Sequence, residues 1–137
     1  MMFTIYTSNL PVGAAGCANG PVIRIRPEYV GDKGLHAHEE LHVKQWYFWV
    51  IIGALYALVL YSTGSSYWSY VVISGCGMHP LLYVSISKYR LWCEVQAYRE
   101  QARYYPTNRN ALFAQKIATD YNLSVTKDEA LKLLEAA

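Results

Sequence analysis

The sequence predicts a mainly α chain with a short N-terminal β-hairpin, a motif helix, a transmembrane helical hairpin and three C-terminal helices. Three observations carry that prediction. All 12 Lys and Arg and all 10 Asp and Glu lie outside Gln45 to Ser87, which leaves one continuous stretch with no formal charge. After that stretch, apolar residues recur at helical spacing, as in Leu112, Phe113, Ile117 and Tyr121. Before it, the β-favouring runs are Phe3 to Tyr6 and Val22 to Arg26, and the second alternates apolar and basic residues with a period of two.

Composition narrows the classes. The chain has 137 residues, 53% hydrophobic and 16% charged, against about a quarter charged in an average soluble domain. It is read as one domain: β-hairpin and turn over 1–34, motif helix over 35–45, apolar hairpin over 46–87, and a helical region over 88–137. The aromatic share of 15% and net charge of +2 exclude a disordered chain and a nucleic-acid binder. Three cysteines, Cys17, Cys76 and Cys93, cannot all pair and show no C-x-x-C spacing, which fits a reducing compartment. MMFTIYTSNLPVGAAG has no basic stretch ahead of its apolar residues, so no signal peptide is expected.

Taken in order, the two β-runs are expected to pair as a hairpin across a Gly/Ala/Pro loop. Pro27 ends the second, and Gly31-Asp32-Lys33-Gly34 leads into a helix from Leu35. The uncharged stretch divides at Thr63-Gly64-Ser65-Ser66. Its arms, Trp46 to Ser62 and Tyr67 to Ser87, span roughly 25 and 31 Å as helices, which brackets the hydrocarbon thickness of a bilayer. Trp46, Tyr47 and Trp49, then Tyr61, Tyr67, Trp68 and Tyr70, then Tyr83 and Tyr89, crowd the ends as interfacial belts do. Arg24, Arg26, Lys33 and Lys44 precede the first arm, Lys88, Arg90, Arg99 and Arg103 follow the second, and the turn has no basic residue. The positive-inside rule therefore places both termini in the cytoplasm. Buried helices of a soluble oligomer are the competing reading, because Gly75, Gly77 and Pro80 interrupt the second arm. Beyond it, helices are expected over Lys88 to Tyr105 and Asn108 to Tyr121, with a last one opened by the capping box Thr126-Lys127-Asp128-Glu129.

The chemistry concentrates in His36-Ala37-His38-Glu39-Glu40-Leu41-His42, which contains H-E-x-x-H. Histidines at i and i+4 share a helical face, so His38 and His42 can converge on one zinc ion, with Glu39 placed as general base toward a metal-bound water. Glu40 lies further round the helix. His36 points to the opposite side and is expected exposed. A catalytic zinc needs a third protein ligand, for which Glu94, Glu100, Asp120 and His79 are the candidates. Glu94 is chosen. The hairpin returns the chain to the level it left, and Glu94 shares a helical face with Ala97, Tyr98 and Gln101; the bland alternative pairs Glu94 with Arg90. Gln45 is expected to orient a ligand. His79 is either an oxyanion-stabilising group or, more simply, a hydrogen-bonded histidine at a helix break. Cys93 is assigned to packing, Arg24 and Arg26 to a solvated strand face, and Val22 to Arg26 to edge pairing with an extended substrate.

His38-Glu39-Glu40-Leu41-His42-Val43-Lys44-Gln45, then Glu94-Val95-Gln96-Ala97-Tyr98-Arg99-Glu100-Gln101, resemble the H-E-x-x-H-V-x-Q and E-x-x-A-Y-x-x-Q blocks of small gluzincin-like zinc metallopeptidase domains, including phage- and bacterium-encoded ones. The similarity runs from about Pro21 to the C-terminus. It implies Zn2+ bound by His38, His42 and Glu94, Glu39 as general base, and a peptide or protein substrate. The apolar hairpin between the blocks departs from soluble members. The sequence thus leads to a membrane-anchored zinc metallopeptidase, with its site on the cytoplasmic face, no nucleic-acid partner and room for an oligomer. The alternatives are a non-catalytic structural or interaction protein, such as a phage membrane or virion component, and a pore-forming hairpin.

Overall fold

A computed structural model describes residues 1–136. Three short strands come first: β1 (Phe3–Tyr6), β2 (Gly16–Asn19) and β3 (Val22–Ile25). They form one sheet in the order β1-β3-β2. This corrects the expected hairpin: Phe3–Tyr6 and Val22–Ile25 do pair, but in parallel, with Phe3 opposite Val22 and Tyr6 opposite Ile25. The antiparallel partner of β3 is β2, with Gly16 opposite Ile25 and Asn19 opposite Val22 across a turn in which Gly20 takes a positive φ of 59°. β3 is hydrogen-bonded on both sides and has no free edge, so an extended chain can join the sheet at β1 or β2 but not along the Val22 to Arg26 run; of the two, β2 lines the cleft described below. Nor is Arg26 a solvated strand residue. Its guanidinium donates to the carbonyls of Ala14 at 2.6 Å and Pro11 at 3.1 Å and ties the loop before β2 to the sheet.

After a single 3-10 turn over Pro27–Tyr29, α1 runs without a break over Lys33–Ser62. Asp32 starts it: Oδ1 accepts from the Leu35 N–H at 2.9 Å, an N-cap, and also from the Tyr105 hydroxyl at 2.7 Å, which ties the start of α1 to the chain around Tyr105. The helix changes character along its length. Leu35, Ala37, His38, Glu39, Val43 and Gln45 are buried, whereas beyond Trp46 only Gly53 and Ala57 are. Ile51, Leu55 and Leu58 stand 56–64% exposed.

α2 (Trp68–Ser85) folds back along α1. Pro80 sits inside it and lacks the N–H that would bond the Cys76 carbonyl; the Trp46 indole N–H supplies the missing donor at 2.8 Å. The arms approach most closely at Gly53 and Gly75, where a Cβ on Gly53 would lie 2.9 Å from the Gly75 Cα and 3.2 Å from the Val71 carbonyl. Both obstacles are backbone. Gly53→Val is expected to force the arms apart and cost about 1–3 kcal/mol, read as a lower melting temperature in detergent.

α2 ends one residue short of a bend at Ile86, and α3 (Ser87–Ala102) leaves at 101° to it. α4 (Asn110–Asp120) and α5 (Lys127–Glu135) follow, the latter opened by the Thr126–Glu129 capping box. Val95, Tyr98, Phe113, Ala114, Ile117, Leu123, Ala130 and Leu134 form the C-terminal core, and a smaller core joins Ile23 and Ile25 to Leu35 and Val43. The chain is thus mainly helical with a small N-terminal sheet. Among the described residues α1 alone is by itself long and apolar enough to cross a membrane; α2 reaches that measure only together with α3, across the bend.

Candidate metal centre

The motif turn of α1 faces α3 beneath the last turns of α2. His38 and His42, one turn apart, present Nε2 atoms 3.2 Å from each other. Glu94, 1% exposed on α3, completes the group, with Oε1 3.3 Å from His42 Nε2 and Oε2 3.6 Å from His38 Nε2. A tetrahedral ion with bonds of about 2.0–2.1 Å sets its ligand atoms about 3.3–3.4 Å apart, so the three separations fit one cation. Glu94 Oε2 is also buried with no hydrogen-bond partner, and an ion would satisfy it. These residues can hold a metal ion.

The supporting contacts fix how the imidazoles are presented. Gln45 Oε1 lies 3.0 Å from His42 Nδ1, and as an amide oxygen it only accepts. His42 therefore carries a proton on Nδ1 and leaves the Nε2 lone pair to the centre, the orienting role expected of Gln45. The Gln45 amide donates in turn to the Cys93 carbonyl. Gln101, whose amide donates to the Tyr105 hydroxyl, is near enough to His38 to help raise its pKa; His38 Nδ1 and Gln101 Oε1 are both buried without a hydrogen-bond partner. From α2, the Tyr83 hydroxyl donates to Glu94 Oε1. Arg90 does not pair with Glu94; its guanidinium donates to the carbonyls of Tyr83, Val84 and Tyr121 and so secures the bend between α2 and α3.

The electrostatics follow from burying four titratable groups together. Burial opposes charge on His38, but the Glu94 carboxylate facing it outweighs that cost and its pKa rises. Burial and the neighbouring His38 charge lower that of His42, against the pull of Glu94. Burial pushes Glu94 up too, yet the His42 and His38 imidazoles that face it and the Tyr83 hydroxyl prevail and hold it at about 2. Glu39 has no such partner: burial pushes its carboxyl up to about 7, the His38 charge only partly offsetting it.

Glu39 is 5% exposed and tucked under β2, where a Cβ on Gly16 would fall 2.8 Å from its Oε1. Gly16→Val is expected to displace the Glu39 carboxylate while leaving the metal ligands in place, so metal content should persist while any Glu39-dependent turnover falls. Metal analysis beside an activity assay checks this.

A cleft of about 1160 Å³ opens over the group, with Gly13 to Gly20 on one side and Trp46, Cys76, His79, Pro80 and Tyr83 on the other. His79 lines it too. The Trp49 indole donates to the Tyr89 oxygen at 2.8 Å, and that oxygen lies 2.8 Å from His79 Nδ1, so the three side chains form one chain of hydrogen bonds. Of the other sequence candidates, Glu100 pairs with Arg103 at the surface, and Asp120 lines the far end of the cleft. His36 turns away and lies 3.2 Å from the Val30 carbonyl; it is half-buried rather than exposed. Cys93 is fully buried, as a packing residue should be.

Sequence reasoning missed Tyr83, which it took for part of an aromatic belt. The signal was there: His79 and Tyr83 stand one turn apart, the polar pair of an otherwise apolar helix face. Comparison of the chain with models of protein families, with curated proteins and with solved structures gives no match.

Proposed function

We propose that the protein is a membrane-anchored, zinc-dependent metallopeptidase of gluzincin-like type, with its site on the cytoplasmic face. The observation that carries this reading is the convergence of His38 Nε2, His42 Nε2 and the Glu94 carboxylate at ligand–ligand spacing, with Glu39 beside them in an open cleft. Two imidazoles and one carboxylate are the donor set of peptidase zinc, and three protein ligands leave a position for water or substrate. Bound there, zinc supplies a Lewis acid for the scissile carbonyl and acidifies a water.

The chain's own residues do the rest. An extended peptide adds to the free edge of β2 over Gly16–Asn19, on the side of Glu39. Glu39, with a pKa near working pH, accepts a proton from the water as its oxygen bonds to the carbonyl carbon. The C–N bond then breaks, and Glu39 passes that proton to the leaving amine nitrogen. Anchoring is supported by the exposed apolar length of α1 and by basic residues flanking both arms but missing from the turn.

The test combines metal analysis of the purified full chain with hydrolysis of a peptide library. One zinc per chain is expected, together with cleavage that a chelator stops and added zinc restores. A protein that holds no metal, with His38 and His42 titrating freely, overturns the reading.

A further inference from the structure

We propose that the substrate is a polypeptide anchored in the same membrane, cut in the stretch immediately outside its own apolar segment. This rests on the peptidase reading above and narrows it.

The apolar hairpin is part of the cleft rather than a remote tether. Trp46, Cys76, His79, Pro80 and Tyr83 build one wall, facing the sheet wall of Gly13 to Gly20. Tyr83 holds Glu94 directly, and His79, 9% exposed, is held in place by the Tyr89 hydroxyl, itself bonded to Trp49. A hairpin that served only as an anchor would have no reason to direct its polar side chains here. The level of the site follows from α1, because His42 and Trp46 are one turn, about 6 Å, apart along a single continuous helix. Just beyond Trp46 the helix surface turns apolar and exposed, as at Phe48, Ile51 and Ile52.

The centre therefore lies about one helical turn from the depth at which lipid begins. A folded soluble protein would have to bring its scissile bond to that level against the headgroups. A chain emerging from the bilayer crosses it by necessity, and in extended form, at roughly 3.3 Å per residue, it does so within its first few residues. Such a segment is also free to lie along the β2 edge, which a folded surface is not.

The experiment uses the full chain reconstituted in phosphatidylglycerol and phosphatidylcholine vesicles. The probes are reporter polypeptides with one Leu/Ala transmembrane segment of about 20 residues. Each carries the best-cleaved library peptide at either about 10 or about 60 residues from that segment, joined by a Gly/Ser linker. Local concentration alone falls as the three-halves power of tether length, which accounts for about 15-fold between the two. Cleavage of the near reporter over the far one by clearly more than that factor is expected, about a hundredfold or greater. A ratio at or below about 15 overturns the inference and leaves the peptidase reading intact. Failure to cut any library peptide, or equal cleavage by Glu39→Gln, overturns both.

Discussion

Glu39→Gln is expected to reduce hydrolysis by about 10²–10⁴-fold while zinc remains bound, and to stabilise the metal-free fold. The two effects have one cause. Glu39 is 5% exposed, makes no ion pair, and sits under Gly16 where burial pushes its carboxyl from 4.5 to about 7. A carboxyl whose folded pKa lies above its unfolded value holds its proton more tightly when folded, so its contribution to stability is greatest at low pH. That contribution declines as pH rises from about 4.5 to about 7, and above both values the cost of the buried charge is at most about 3 kcal/mol. The glutamine has nearly the same shape and never ionises. With chelator present, its melting temperature should exceed that of the wild type at pH 8 and converge with it near pH 4. A carboxylate kept for packing would give the reverse: unchanged turnover and a less stable variant.

The parts of this site that were legible in the sequence are those set by helical spacing. His42 follows His38 by four positions, three more reach Gln45, and one uninterrupted helix turns those intervals into a shared face. Glu94 was legible for a different reason. An uncharged hairpin has to return to its starting level, and the first buried carboxylate after the return is on α3. The sheet was less so. Gly16-Cys17-Ala18-Asn19 contains no strong β-former, and it forms a strand because β3 offers it an edge, with Gly16 letting the strand lie close against the Glu39 carboxylate. The parallel pairing of β1 with β3 depends on β2 occupying the antiparallel side, a tertiary choice that a period of two does not encode. Arg26 read as solvated because its partners are backbone carbonyls of a loop, which leave no mark in a sequence. Tyr83 was hidden by its neighbours: on a segment rich in aromatic residues, one tyrosine aimed at a carboxylate resembles the rest.

Glu94→Ala is expected to weaken metal binding by well over the 10²-fold typical of losing a supporting contact, and to unbalance the fold even when no metal is present. The carboxylate is 1% exposed and faces both Nε2 atoms, so its removal takes away the main group that favours a charged His38 against burial, and strips the Tyr83 hydroxyl of its acceptor. Breaking a buried pair in this way costs about 3–5 kcal/mol. The pH dependence carries a signature. Glu94, held at about 2 against 4.5, stabilises the fold above pH 4.5 and loses that contribution as pH falls toward 2. His38, raised above 6.5, stabilises it fully below pH 6.5 and loses that contribution as pH climbs through its folded value. The stability gap between wild type and variant in chelator should therefore be widest between pH 4.5 and 6.5 and shrink on either side. Metal reverses the alkaline half. The cation takes the place of the proton that His38 holds, so zinc affinity of the wild type should rise with pH through and above 6.5, with proton release measurable by calorimetry in buffers of different ionisation enthalpy. A flat affinity profile, with no proton released, would mean that His38 is not displaced and that the ion, if bound at all, sits elsewhere.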